Sequence, residues 1–222
     1  MSYTLTLQDI AQVTPDTYQL TFNRPEDFTF EAGQATELAI QKDGIRDEGR
    51  PFTMTSRPND PHLEFVIKSY PDHDGVTAKV PDLAMTDQVI ASEPFGAITD
   101  HGTGVFIAGG AGVTPFVSIL RTQQQKGEGT SKLIFANKTP EDIILKETWQ
   151  SMANVDETFV VSEGDVPEAR QGQVNKAMLE ELVADKEQPF YICGPGEMVN
   201  DVRDALKDMG VKKENIITEE GW

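Results

Sequence analysis

Hydrophobic and polar positions change rhythm once along the chain. From residue 3 to about 98, apolar residues alternate in short runs cut by Pro, Gly and Asp: TLTLQDIAQV, TYQLTF, GQATELAI, RPFTMTS, HLEFVIKSY and QVIASEPFGAI. Alternation with period two puts one set of side chains on each face of a strand, and little in this half has a helical period. About six strands in a small antiparallel barrel or sandwich are predicted. After the turn DHGTG at 100–104, strand and helix take turns. VFIAG, KLIFANK, TFVVSE, FYICG and NIITEE read as strands; FVSILRTQQQ, PEDIILKETWQSM and NKAMLEELVAD read as helices, the first opened by Thr114 as N-cap and Pro115 in the first turn. The last helix is the clearest, with Met198, Val199, Val202, Ala205, Leu206 and Met209 at helical spacing and Gly210 placed to end it. Apolar strands alternating with helices imply a parallel sheet covered on both faces. The expected architecture is therefore an antiparallel β-barrel over residues 1–99 followed by an α/β doubly wound parallel sheet over 100–222.

Composition narrows the chemistry. The 222 residues are 38% hydrophobic, enough for one or two cores, and no run approaches the roughly 20 apolar residues of a membrane span. The N-terminus enters strand-like sequence with no basic and apolar leader, so the cytoplasm is the expected location. One cysteine, Cys193, is too few for an internal disulfide or for the four thiolates of an iron–sulfur cluster. Three histidines and that one cysteine make a structural zinc site unexpected, so no metal is expected. The net charge is −18, with 7 basic and 17 acidic side chains in residues 1–100 and 12 and 20 in the rest. A polyanion binder needs a basic stripe, so nucleic acid is not an expected partner; the spread acidity reads first as a solubilising surface.

Three glycine-marked loops and one strand carry candidate chemistry. Ligands of open parallel sheets sit beyond the carboxyl ends of the strands, where helix N-termini favour anions. Gly109-Gly110-Ala111-Gly112-Val113-Thr114-Pro115 follows VFIA and lets a pyrophosphate approach the backbone, although it is not the GxGxxG fingerprint and tight packing alone would also explain it. Cys193-Gly194-Pro195-Gly196-Glu197-Met198 follows FYI; a cysteine there is more often a small hydrophobe than a catalyst. Asp72-His73-Asp74-Gly75-Val76-Thr77 follows FVIKSY; its glycine and hydroxyl suit a phosphate, its two aspartates oppose one. Arg50-Pro51-Phe52-Thr53-Met54-Thr55-Ser56 is the most informative segment. Alternation places Arg50, Phe52, Met54 and Ser56 on one face, a guanidinium fork for a phosphate and an aromatic for a flat ring, unless the arginine only closes a salt bridge.

Taken in order, these segments resemble the ferredoxin-NADP reductase family, which joins a flavin-binding barrel to a nicotinamide-binding α/β domain. The resemblance covers essentially the whole chain and is nearest to the compact bacterial flavodoxin or ferredoxin reductases. Arg50-Pro51-Phe52-Thr53 with Ser56 is similar to the family's flavin motif, Gly75-Val76-Thr77 to its second flavin-phosphate segment, Gly109 through Pro115 to its nicotinamide pyrophosphate loop, and Cys193-Gly194-Pro195 to its loop beside the nicotinamide. What the resemblance implies is an FAD enzyme that takes hydride from NADH or NADPH at flavin N5. It then passes single electrons to a separate carrier, a flavodoxin or ferredoxin.

By the same resemblance, Arg50 clamps the FAD pyrophosphate, Thr53 bonds flavin N5 and Thr77 holds phosphate, with Lys68 and Tyr70 joining the flavin set, Tyr70 on the adenine side. Gly110, Gly112 and Thr114 take the dinucleotide pyrophosphate, with Ser162 and Met198 in the nucleotide set. Thr53, Cys193, Glu219 and Trp222 form the expected catalytic group, Cys193 near the hydride-bearing carbon and Trp222 covering the flavin. Phe52 departs from the family's tyrosine, keeping the stacking surface and losing a hydroxyl. Ser162-Glu163 stands where NADP-dependent relatives often have Ser-Arg, and a glutamate there repels a 2′-phosphate, which leans to NADH; Lys138 and Arg170 can reach a 2′-phosphate, which leans the other way. Arg24, Lys42, Arg46, Arg50 and Arg57 are candidates for a local basic patch that an acidic carrier would need. A monomer is expected. Open alternatives are a flavin reductase or diaphorase acting on small acceptors, a non-catalytic flavin or nucleotide sensor, and a methyltransferase built on the second half alone.

Overall fold

A computed structural model describes residues 2–42, 45–46, 49–72, 75–164 and 166–219. The chain divides into two compact units, Met1–Thr99 with Thr114–Ile119, and Asp100–Val113 with Leu120–Trp222.

The first unit is built on seven strands: β1 (Ser2–Thr14), β2 (Thr17–Asn23), β3 (Ala35–Lys42), β4 (Ile45–Arg46), β5 (Arg50–Thr53), β6 (His62–Lys68) and β7 (Gln88–Ser92). Every pairing is antiparallel, in the order β4-β3-β7-β1-β2-β6, with β5 also on β3. A single bridge between Met54 and Phe65 joins the end of β5 to β6, so six strands wrap into a barrel that no continuous ladder closes. The predicted barrel and its six runs are borne out. The two-residue β4 is an addition too short to carry an alternating pattern.

Alternation fills the barrel. Leu5 and Leu7, Leu20 and Phe22, Leu38 and Ile40, and Leu63, Phe65 and Ile67 point into one core with Phe28, Met54 and Val89. The middle of β6 is buried on both faces, so Glu64, 7% exposed, needs polar partners. Thr55 Oγ1 donates to one of its carboxylate oxygens at 2.9 Å and Gln19 Nε2 to the other at 2.7 Å. The four-residue helix α1 (Val76–Lys79) then packs on β3.

The second unit carries β8 (Val105–Gly109), β9 (Ser131–Asn137), β10 (Val155–Val161), β11 (Ala169–Gln171), β12 (Phe190–Cys193) and β13 (Ile216–Thr218). They form one parallel sheet in the order β11-β10-β9-β8-β12-β13. The order reverses between β8 and β12, which sets the crevice of a doubly wound sheet at their carboxyl ends. Helices α2 (Thr114–Lys126), α3 (Lys146–Ser151), α4 (Lys176–Leu182) and α5 (Gly196–Asp208) make the connections. Ile107, Ile134, Val160 and Ile192 from the sheet meet Leu179, Val202 and Leu206 from α4 and α5 in one core.

Tyr191 lies flat on Phe106 at 4.1 Å, and its hydroxyl accepts from the His101 N–H and donates to the Gly102 carbonyl. The DHGTG turn is thereby tied to the sheet. Gly210, at φ +91, ends α5 as its position predicts.

Three local expectations change. Thr114 is the first residue of α2 rather than its N-cap. The 3-10 turn Gly110–Val113 runs straight into the helix with Val113 already right-handed, which leaves no extended residue to cap. PEDIILKETWQSM forms a 3-10 turn at Pro140–Asp142 and then only the short α3, because Leu145 takes a left-handed conformation, φ +56, between them. Past Thr53 the alternation of β5 stops, and Met54, Thr55 and Ser56 are all buried where the sequence puts neighbours on opposite faces. The Thr55 N–H donates to the Glu64 carbonyl and the Ser56 hydroxyl accepts from the Glu64 N–H, turning the segment inward.

Candidate functional site

At the carboxyl ends of β8 and β12, two loops interlock. A Cβ at Gly112 would stand 2.4 Å from the Cys193 carbonyl oxygen and 2.6 Å from the Gly194 nitrogen, and one at Gly109 would meet Met198 Sδ and Pro195 Cδ. Only a missing side chain permits that approach. Gly110 differs: it sits at φ +52 with nothing within 4 Å of where a Cβ would be, so its backbone faces open space. Of the predicted set, the second unit brings Gly109, Gly110, Gly112, Cys193, Gly194, Pro195 and Met198 together. Gly196 opens α5, a helix of 13 residues whose first N–H groups have no partner within the helix.

Cys193 is a thiol here. Burial pushes it up to about 12, the Glu219 carboxylate adds to the rise, and the Gly194 N–H offsets part of it. The thiolate is the nucleophilic form, so this cysteine supplies a small polarisable contact rather than a base or a nucleophile.

Sequence reasoning missed Asn137. It ends β9, paired with Val161 of β10 and one residue past the Gly109–Ala136 pair with β8. Both its side-chain atoms, Nδ2 and Oδ1, are buried without a hydrogen-bond partner. Leaving a buried polar group unmade costs about 1–3 kcal/mol, so a carboxamide kept there implies a partner that arrives later. The signal in the sequence is an amide at the end of the otherwise apolar run LIFA, a position that a purely structural strand fills with another hydrophobe.

On the neighbouring strand, Ser162 is exposed and held by its N–H to the Asn137 carbonyl, and Glu163 by its N–H to the Lys138 carbonyl. Lys138 Nζ stands 3.6 Å from Glu163 Oε1, and Arg170 makes a two-pronged pair with Glu181. Both cations that the sequence offers for a 2′-phosphate thus already face carboxylates.

In the first unit, β5 hydrogen-bonds to β3 and α1 packs on β3, so Arg50–Thr53 and Gly75–Thr77 flank one strand. Arg50 and Pro51 are exposed, Phe52 and Thr53 half-buried, Val76 buried and Thr77 half-buried, and Gly75 has empty space where a Cβ would stand. A guanidinium, an aromatic face and a hydroxyl on one strand beside an open glycine turn fit the phosphates and ring of a flavin nucleotide. Other predicted residues are engaged elsewhere. Ser56 is 1% exposed with its hydroxyl on the Glu64 N–H and its carbonyl accepting from Ser118 Oγ at 2.6 Å, bonds within the barrel unit. Lys68 pairs with Asp16 at 2.9 Å, and Tyr70 is 40% exposed. Trp222 and His73 lie outside the described residues, as do the side chains of Lys42 and Arg46. Among the described residues no cluster has the composition of a metal site, and no helix is long and apolar enough to cross a membrane.

Comparison with known proteins gives these loops a context. Residues 106–204 match the oxidoreductase NAD-binding domain family. NADH-cytochrome b5 reductase 1 of Coccidioides immitis is 29% identical over 222 residues, covering 90% of this chain and 72% of that protein. The ferredoxin reductase component of 3-ketosteroid-9-alpha-monooxygenase from Rhodococcus rhodochrous is 26% identical over 228 residues, covering 98% of this chain and 64% of that protein. The crystal structure of a ferredoxin NADP+ reductase from Neisseria gonorrhoeae with bound FAD and NADP superposes with a TM-score of 0.85 at 22% identity, covering 100% of this chain and 99% of that one. A methyltransferase leaves both the matched domain and the barrel unexplained. The NAD-binding match over residues 106–204, the reductase relatives along nearly the full chain and the order of barrel and parallel sheet make this chain similar in sequence and fold to FAD-binding oxidoreductases of the ferredoxin-NADP reductase kind.

Proposed function

We propose that the protein oxidises NADH at FAD and hands the electrons one at a time to a separate protein carrier of the flavodoxin or ferredoxin kind. The observation that carries this reading is Gly110, whose backbone stays open while its neighbours Gly109 and Gly112 are locked against the Cys193 loop. A loop braced on both sides of one accessible peptide suits a ligand phosphate better than it suits packing. FAD, when bound, supplies the two-electron uptake and single-electron release.

The protein's own residues bind and orient. Arg50 and Thr77 hold the FAD phosphates, Phe52 covers the ring and Thr53 offers its hydroxyl toward N5. Gly110 holds the dinucleotide pyrophosphate while Gly112 braces its loop, Asn137 pairs its carboxamide with the same ligand, and Cys193 and Glu219 border the nicotinamide. Lys68 and Ser56 act through the strands they brace rather than by contact with FAD, and Tyr70 takes the adenine side.

NADH is preferred because Glu163 stands beside the ribose position and because Lys138 and Arg170 already face Glu163 and Glu181. The named activity of the Coccidioides immitis relative, an NADH reductase, agrees. Ferredoxin as carrier draws on the name of the Rhodococcus rhodochrous relative and flavodoxin on the resemblance of the motifs, and the chain is taken to act as a monomer in the cytoplasm.

A second reading, an NADH diaphorase working on small acceptors, has one observation in its favour. Arg24 is spent on the carbonyls of Phe28, Pro58 and Asp60, and Arg57 on the Asp60 carboxylate, so two of the five candidate docking cations are committed inside the barrel unit. Steady-state reduction of ferricyanide, free FMN, and purified ferredoxin and flavodoxin, each with NADH, separates the two. Turnover with a protein carrier at least tenfold more efficient than with free FMN supports the proposal; the reverse order sinks it in favour of the diaphorase.

A further inference from the structure

The face of α5 that borders β13 at the edge of the core is not simply solvated. Along it, Val199, Arg203 and Lys207 follow one another at helical spacing, and across a groove stand Ile216 of β13 and Lys213 in the turn before it. The groove encloses about 520 Å³, the size of a small-molecule site rather than of a single ion. One end reaches Cys193 and Glu219. Strand order puts it on the β13 side of β12, whereas the Gly110 loop lies on the β8 side.

Its charges are unusual for this molecule. Arg203, Lys207 and Lys213 meet here in a chain of net charge −18. Arg203 Nε is buried and donates to nothing; Asp204 Oδ1 stands 3.7 Å from it, beyond hydrogen-bond reach, while a terminal nitrogen of Arg203 donates to Asn200 Oδ1 at 2.7 Å. Asp204 also takes Lys207 at 3.2 Å, so one carboxylate is shared between two cations, and Lys213 makes no ion pair with any described residue. A buried donor whose facing carboxylate stands beyond hydrogen-bond reach keeps part of its desolvation penalty, which an anion in the groove relieves.

We infer that this groove is a second ligand site, taking a small organic phosphate by its phosphoryl group at Arg203, Lys207 and Lys213 and by its apolar body on Val199 and Ile216. The apolar wall and the volume argue against inorganic phosphate as the occupant, since that ion would leave most of the space and both aliphatic side chains uncovered. The groove adjoins the residues assigned to the nicotinamide at its Cys193–Glu219 end, while its three cations lie away from the Gly110 loop, so the site stands whether or not the nucleotide preference proposed above holds.

Isothermal titration of the FAD-loaded 222-residue chain, saturated with NAD+ to block the dinucleotide loop, tests this with phenyl phosphate and inorganic phosphate as probes. Phenyl phosphate is expected to bind one per chain and at least tenfold tighter than inorganic phosphate. The double variant Lys207→Glu with Lys213→Glu is expected to lose at least tenfold in affinity while its circular dichroism and NADH-ferricyanide turnover stay at the parent level. Arg203→Leu, assayed in parallel, is expected to weaken the same binding. Absence of saturable binding, equal affinity for the two probes, or undiminished binding in the double variant overturns the site. Binding that appears only when NAD+ is omitted assigns the probe to the Gly110 loop and overturns it as well.

Discussion

Asn137→Leu is the sharpest available perturbation, because the structure predicts opposite effects on stability and on ligand affinity. Leucine has nearly the shape of asparagine, so the change removes two buried, unpartnered polar atoms without opening a cavity. Unmade hydrogen bonds of this kind cost about 1–3 kcal/mol, so the nucleotide-free variant gains about that much. For a chain of this size 1 kcal/mol is about 2–4 °C in Tm, which makes the expected rise about 2–12 °C in calorimetry of the nucleotide-free protein. If the carboxamide waits for the dinucleotide, the same variant loses a hydrogen bond worth about 1–1.5 kcal/mol and NADH binds about tenfold more weakly in equilibrium titration. A fall in Tm with unchanged NADH affinity would refute the reasoning, since it would mean that water satisfies Asn137 and no ligand does.

Five further outcomes follow from the same geometry. Gly112→Ala forces a Cβ to within 2.4 Å of the Cys193 carbonyl, so backbone must move by about 1 Å; a loss of about 1–3 kcal/mol with a raised KM for NADH is expected in parallel melting and kinetic runs. Gly110→Ala meets nothing and costs only the left-handed conformation, about 1 kcal/mol, so the two alanines should differ clearly in Tm. Cys193, raised from 9.0 to about 12, should alkylate with iodoacetamide at pH 8 about 100-fold more slowly or worse than a free cysteine, as followed by mass spectrometry. Because the folded value lies above the unfolded one, its contribution to stability is intact below about pH 9 and is lost as pH rises toward about 12; Cys193→Ser should flatten that part of the alkaline unfolding curve. Finally, Glu163→Ala should raise kcat/KM for NADPH about tenfold with little change for NADH, and equal changes for both would remove Glu163 from nucleotide choice.

The fold was legible where periodicity and burial agree. VFIAG, LIFA and FYIC are buried on both faces, and the barrel runs bury alternate residues, so pattern alone locates them. It fails where a tertiary hydrogen bond overrides the local rule. Glu64 draws Thr55 and Ser56 inward against the alternation of RPFTMTS, and Leu145 in a left-handed conformation breaks what reads as one helix. The short β11 was invisible because three residues at a sheet edge show no period.

The site was legible in part for a similar reason. Glycines mark the loops, but sequence does not tell which glycine is needed for packing and which faces a ligand; only the distances around Gly109, Gly110 and Gly112 divide them. Asn137 escaped notice because an amide at a strand end looks ordinary until its two atoms are found without partners. The cations of the α5 groove carry no signal in sequence, since the facing wall comes from Lys213 and Ile216, which follow the helix and meet it only in the folded chain.

The central claim, a flavin reduced by NADH on this chain, is tested most directly by the anaerobic visible absorption spectrum of the purified protein before and after NADH, with NADPH in a parallel cuvette. The account predicts oxidised-flavin bands that bleach promptly with NADH and far more slowly with NADPH. A colourless protein that fails to retain added FAD, or a bound flavin that neither nucleotide bleaches, would contradict it.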